Sequence, residues 1–154
     1  MKPLEIERRS FEIISEELGT RKIDPEFEPV VKRVIHTTAD FDYLDNLAFS
    51  EHAVLRLMRA LQAGCDIVTD TAMAQAGINK KALSAFGGRA LCFIADEDVA
   101  REAKQRGVTR SLVSMEKAAR LEKPLIFAIG NAPTALFSIC DLMRAGALAP
   151  EMVI

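Results

Sequence analysis

The first twenty residues have the periodicity of an amphipathic helix. Leu4, Phe11, Ile14 and Leu18 fall on one helical face. Gly19 follows the last apolar position and can end the helix, because glycine readily adopts the left-handed conformation at a helix C-terminus. The pattern therefore predicts a first helix that packs through one face.

Two more helices are predicted in the next part of the chain. The sequence Asp-Pro-Glu at 24–26 is a strong helix start, because it combines a capping carboxylate, a proline for the first turn and an acidic neighbour. The apolar residues that follow are spaced to form one buried helical face. This helix is expected to run directly into the polar segment 36–41. A third helix is expected to begin near Ser50, a suitable cap, and Gly64 can end it.

Beyond Gly64, short apolar runs alternate with helical periodicity. Buried strands are predicted at 65–70, 89–94, 125–129 and 152–154. One helix is predicted between the first of these strands and residue 76, and others at 80–86 and 97–106. Two more are predicted, one capped by Ser111 and ending near residue 120, and one whose apolar positions lie within 136–143. This alternation favours parallel strands with helical crossovers on both faces. We therefore predict one α/β domain over residues 1–154, with a mostly parallel sheet and a helical N-terminal region.

Composition narrows the class of protein. The 154 residues are 49% hydrophobic and 27% charged, with a formal net charge of -2, which argues against a nucleic-acid binder. We find neither a membrane-length apolar run nor a signal region, so we expect a cytoplasmic protein with no membrane partner. The three cysteines have apolar neighbours and form no CxxC pair, which predicts neither disulfides nor a metal site. Nucleotide-binding fingerprints and a nucleophile elbow are missing from the sequence.

Candidate chemistry lies in three places. His36 falls where a helix meets a polar segment, and histidine is well suited to proton transfer near neutral pH; local sequence alone still favours a histidine contacting helix carbonyls. The turns at 69–70, 95–97 and 130–133 follow predicted strands, where parallel sheets bind ligands, or they are simple strand-to-helix turns. Arg110 could hold a carboxylate or phosphate, or form a structural salt bridge or cap.

Five segments in register resemble the precorrin-8 (or cobalt-precorrin-8) methylmutase family. They are SFEII at 10–14, RVIHTTADF at 33–41, TDTAM at 69–73, GVTRS at 107–111 and IGNAPTAL at 129–136. The segment at 33–41 is the most specific of them. Together they extend over essentially the whole chain and in the family's order.

The resemblance implies an enzyme of cobalamin biosynthesis with a three-layer α/β/α fold, acting as a homodimer without a cofactor. Such an isomerase moves a methyl group from carbon 11 to carbon 12 of precorrin-8X or cobalt-precorrin-8, giving hydrogenobyrinate or cobyrinate. The family's histidine, which matches His36, is thought to protonate the macrocycle. Any cobalt would arrive inside the tetrapyrrole rather than on protein ligands.

The resemblance also implies which residues hold this anionic tetrapyrrole. A bidentate guanidinium, hydroxyl groups and helix N-termini suit the carboxylates around its rim. The expected substrate-binding residues are Ser10, Thr37, Thr38, Thr69, Met73, Thr109, Arg110, Ser111 and Asn131.

One departure from the family pattern concerns the C-terminal side. Family members normally continue by about a quarter of their length beyond Ile154, with a Ser-Lys-Glu motif and a glycine-rich basic segment. The resemblance therefore predicts a shortened form of the enzyme. An alternative function follows from that expectation, in which the chain binds the tetrapyrrole without converting it.

Overall fold

The computed structural model describes residues 3–154, whose backbone groups into two compact units that divide between Leu55 and Arg56. The single-domain organisation expected over 1–154 stays a prediction, and each unit is described by itself. None of the helices in the described part of the chain is long and apolar enough to cross a membrane.

Within its described residues, the first unit contains three complete helices: α1 (Pro3–Leu18), α2 (Glu28–Thr38) and α3 (Tyr43–Asn46). Its core joins Ile14 and Leu18 of α1 to Val31 and Ile35 of α2. The stripe expected on the first helix is therefore confirmed in its C-terminal half, whereas Leu4 is 79% exposed. The short helix α3 has no counterpart among the predicted elements.

Two helix starts differ from the sequence predictions. The Asp24 carboxylate accepts the Glu26 N–H at 2.8 Å and so caps a turn, and α2 begins four residues after it. The next helix, α4 (Ala53–Gln62), is capped from a distance, because the Glu26 carboxylate accepts the Val54 N–H at 3.1 Å. Ser50 contributes only its backbone carbonyl. The boundary between the two units falls within α4.

The second unit is an α/β structure, which confirms the predicted fold class. After α4 it contains β1 (Asp66–Thr69), α5 (Ala72–Gly77), α6 (Lys80–Ala85), β2 (Ala90–Leu91), α7 (Glu97–Arg106), α8 (Arg110–Ala118), β3 (Leu125–Ala128), α9 (Pro133–Arg144) and β4 (Met152–Val153). All pairings are parallel, and the strand order is β2-β1-β3-β4.

Helices cover both faces of this sheet. On one face, Val68 and Phe127 pack with Met115 of α8 and Ile139 of α9. On the other face, Ile126 packs with Ala60 of α4. Because neighbouring residues of a strand point to opposite faces, the continuous apolar sequence of β3 fits a strand that is buried on both sides.

Two predicted boundaries in the second unit are wrong by a few residues. Ser111 does not cap α8; the Thr109 hydroxyl does, by accepting the Leu112 N–H at 3.2 Å. The strand expected at 89–94 pairs only through Ala90 and Leu91. The chain then leaves the sheet in a turn, in which the Asp96 N–H bonds the Phe93 carbonyl.

Candidate functional site

His36 lies in the last turn of α2 and lines a cavity of about 210 Å³. Ser10 lines the same cavity, so the structure brings together two of the residues predicted for the site. The other lining residues are mostly apolar: Ile13, Ile14, Glu17, Ile35, Ala39 and Phe41. The imidazole is exposed, and a ligand in this cavity could reach it.

The helix ends directly behind His36 in an unusual conformation. Ala39 has φ 55° and ψ 24°, the left-handed region that costs most non-glycine residues free energy. Its N–H bonds the Ile35 carbonyl at 2.8 Å, which closes the helix. Since Ala39 also lines the cavity, this backbone geometry forms part of the site wall.

The hydroxyls of the two threonines after His36 form hydrogen bonds within α2. Thr37 donates to the Arg33 carbonyl and Thr38 to the Val34 carbonyl, each at 2.9 Å. Thr38 also accepts the Asp40 N–H at 3.2 Å. Neither threonine orients the imidazole, which has no hydrogen-bond partner among residues 3–154. The aromatic ring of Phe11 contacts it instead, with ring centroids 5.1 Å apart and an angle of 20° between the planes.

Asp70 connects the carboxyl ends of β1 and β3. It lies in the candidate turn at 69–70 but is not among the residues predicted to bind substrate. Asp70 follows β1 and is only 1% exposed. Its carboxylate accepts three backbone N–H groups of the turn between β3 and α9, from Gly130, Asn131 and Ala132, at 2.9, 2.8 and 2.7 Å. One buried carboxylate therefore fixes the turn in which Asn131 was expected to bind substrate.

These bonds change the chemistry expected of the turn. Burial opposes ionisation of Asp70, but the backbone N–H donors outweigh it and lower the pKa of its carboxyl. The N–H groups that precede α9 are thus already bonded to an anion of the protein. A substrate carboxylate would meet the Asn131 side chain, which is exposed, rather than free backbone donors.

Thr69 and Met73 lie on either side of this anchor. Thr69 is fully buried, and its hydroxyl donates to the Thr71 carbonyl at 3.0 Å, so it supports the turn after β1 from inside the protein. Met73, in the first turn of α5, is 82% exposed. Of these two predicted site residues, only Met73 offers a free surface to a ligand.

Thr109, Arg110 and Ser111 surround the start of α8. The hydroxyl of Thr109 is engaged as the helix cap. Arg110 is the first helical residue and is exposed, and its guanidinium has no partner in the described part of the chain. The salt-bridge alternative for Arg110 thus finds no support there. A cation in the first turn also opposes the helix dipole, so Arg110 does not serve the stability of α8.

Polar residues at the carboxyl ends of parallel strands are typical of ligand-binding α/β proteins. In the first unit, an exposed histidine on a cavity wall is typical of an enzyme. Comparison with known proteins identifies the family within this class. Residues 5–154 match the family described as precorrin-8X methylmutase. The chain belongs to the precorrin-8X methylmutase family.

Individual relatives agree with this assignment. The chain is 48% identical over 145 residues to a cobalt-precorrin-8 methylmutase of Salmonella typhimurium, covering 90% of this chain and 69% of the relative. It is 41% identical over 154 residues to that of Priestia megaterium, covering 100% of this chain and 68% of the relative. A precorrin-8X methylmutase structure from Thermus thermophilus superposes with a TM-score of 0.83 at 34% identity, covering 96% of this chain and 72% of that one.

Proposed function

We propose that this chain is a precorrin-8X methylmutase, an isomerase of cobalamin biosynthesis. It moves a methyl group from carbon 11 to carbon 12 of the tetrapyrrole and gives hydrogenobyrinate, or cobyrinate when cobalt is present. The observation that carries the proposal is the position of His36, the histidine of the most specific family segment, on the wall of a cavity. The family assignment favours this function over binding without turnover.

The proposed chemistry needs few protein groups. The bond from the methyl group to carbon 11 breaks, a bond to carbon 12 forms, and the substrate and product are isomers, so no oxidant or reductant takes part. His36 gives a proton to the macrocycle and assists the shift as a general acid, and a proton returns to the imidazole as the product forms, so the numbers of protons on substrate and product stay equal. The protein otherwise holds the large ring still against this acid.

The rim carboxylates of the substrate are held by exposed polar side chains. Arg110 offers a guanidinium that has no partner among residues 3–154, and Asn131 offers an amide on a turn that Asp70 holds. Ser10 contributes a hydroxyl at the cavity of His36. Thr37, Thr38, Thr109 and Ser111 are proposed as weaker contacts, and Met73 as an apolar contact to the macrocycle.

The test is turnover of a defined pigment. Purified protein is incubated with precorrin-8X and, separately, with cobalt-precorrin-8, and absorption spectra of bound and released pigment are recorded. We expect a shift to the product spectrum, faster with the cobalt form, because the relatives at 41–48% identity carry the cobalt name. A stable complex whose pigment never changes would instead establish the binding-only alternative.

Replacing Arg110 should separate binding from stability. Arg110→Ala should weaken pigment binding about 10- to 150-fold, the range for loss of one charged hydrogen bond. The melting temperature should stay the same or rise slightly, because a cation leaves the positive end of α8. Fluorescence or absorption titration gives the affinity, and calorimetry gives the melting temperature.

Arg101→Ala is the matched control, since Arg101 is another exposed arginine of the second unit without a partner in the described residues. It should change neither quantity. Arg110→Lys should recover only part of the affinity, because an ammonium cannot reproduce the planar fork. Unchanged affinity in Arg110→Ala would remove Arg110 from the binding site.

We further propose that the protein works in the cytoplasm as a homodimer. The family resemblance supports the dimer, and two-fold dimers are the commonest closed assemblies. Exposed apolar side chains on α9 also support an interface: Leu136, Phe137 and Met143 are 41%, 68% and 46% exposed.

Sedimentation measures the oligomeric state directly. We expect one species of twice the 16.9 kDa chain mass at micromolar concentration. Phe137→Glu should shift it toward monomer if α9 lies at the interface, whereas a monomeric wild-type chain would contradict the homodimer.

A further inference from the structure

Phe11 contacts the His36 imidazole but is not one of the residues that line the cavity. The two rings stack with centroids 5.1 Å apart and planes 20° from parallel. Phe11 is half-buried on α1, directly after Ser10 of the cavity wall. The helices α1 and α2 share the buried pair Ile14 and Ile35, so the two rings are carried by packed elements.

A cation and its counter-ion complete this arrangement. The guanidinium carbon of Arg33 lies 4.8 Å from the centre of the Phe11 ring, a cation–π distance. Arg33 in turn bonds the Glu7 carboxylate at 2.7 Å. Glu7 lies one helical turn before Phe11 on α1, so the ion pair ties α1 to α2 beside the ring.

The hydroxyls next to His36 do not orient its imidazole, whereas the Phe11 ring contacts it directly. Thr37 and Thr38 bond the carbonyls of their own helix, and the described residues supply no hydrogen bond to the imidazole. An exposed side chain without a partner samples several rotamers, whereas a stacked ring is restricted. Proton transfer needs an acid at a fixed position, and a misplacement of about 1 Å can cost about 100-fold in rate.

We propose that Phe11 is a positioning residue for the methyl migration. Its ring holds the His36 imidazole in the orientation from which the proton is given, and the ion pair between Glu7 and Arg33 holds the ring. This inference rests on the proposed function, because it assigns His36 the role of acid.

The test combines a ring-current measurement with kinetics. His52→Gln removes the other histidine of the chain, so the remaining imidazole proton resonances belong to His36. In this background, Phe11→Leu should move those resonances toward values of an unstacked histidine. The same change should lower kcat about 10- to 100-fold with KM nearly constant. Phe11→Tyr keeps the ring and should retain both the shifted resonances and kcat.

A second stacked pair in the same unit provides the matched control. Phe27 and Phe49 have ring centroids 4.3 Å apart and planes at 5°, and among the described residues they form a stacked pair separate from that of Phe11 and His36. Phe49→Leu should lower the melting temperature like Phe11→Leu but leave kcat and the His36 resonances unchanged. If Phe11→Leu does not fold, the same measurements are made on Arg33→Gln, because Arg33 is exposed. This variant should lose part of the ring-current shift and have a kcat lower by about 2- to 10-fold.

The outcomes separate this inference from the proposed function. Full kcat in Phe11→Leu, beside an active wild-type chain, would overturn the inference alone. An equal loss of kcat in Phe49→Leu or in Phe11→Tyr would also overturn it, because the ring against His36 would then not be the cause. A wild-type chain that binds the pigment without converting it would overturn the proposed function.

Discussion

Replacing His36 with alanine should reduce methyl migration about 100- to 10,000-fold, the usual contribution of a general acid. The fold should survive, because the imidazole is exposed at the end of α2 and makes no hydrogen bond within the described residues. Pigment affinity should change little, since the rim carboxylates are held by other side chains. Single-turnover absorption spectroscopy measures the rate, and titration measures the affinity.

His52 is the matched control for this experiment. It is the second histidine of the chain, with a side chain 63% exposed and its Nδ1 3.4 Å from a Glu26 carboxylate oxygen. His52→Ala should therefore leave the rate of methyl migration unchanged. Near-normal turnover by His36→Ala would exclude His36 as the acid and return it to the role of a helix-end side chain.

Local sequence signals predicted the element types better than their starts. The helix predicted at 97–106 is confirmed as α7, which ends at Gly107 with φ 65°. The start signals at Asp24 and Ser50 misplaced two helices, because Asp24 caps a turn and the partner of the α4 N-terminus is Glu26, 28 residues earlier. A cap supplied from a distant part of the chain leaves no mark in local sequence.

Contacts between residues distant in sequence also limited the prediction of the functional site. His36 could be selected because it lies within a recognisable segment, and Ser10 because it belongs to another. Asp70 lay inside a recognised segment, yet its partners are 60 to 62 residues away. A Cβ built at Gly130 would meet only ordinary contacts at 3.7 and 3.9 Å, so the turn does not need a glycine there on steric grounds. The bonds to the Asp70 carboxylate hold it instead.

Asp70→Asn should lower the free energy of unfolding by about 2–4 kcal/mol. A carboxylate can accept all three N–H groups of the turn, whereas an amide accepts through one oxygen and points its own N–H groups at the remaining donors. Urea unfolding near pH 7 measures this change. The control is Asp98→Asn, at an exposed carboxylate bonded to Lys117. It should leave stability almost unchanged, because exposed ion pairs contribute little.

The pH dependence of unfolding provides a second measurement on the same variant. Because the folded protein lowers the pKa of Asp70, the unfolded state binds the proton more readily. The stabilisation is therefore complete above the unfolded-state pKa of about 3.9 and is lost as the pH falls through the lower pKa of the folded state. The wild-type chain should lose more stability than Asp70→Asn over this acidic range. Equal pH dependence of the two proteins, or equal stability at neutral pH, would show that Asp70 does not anchor the turn before α9.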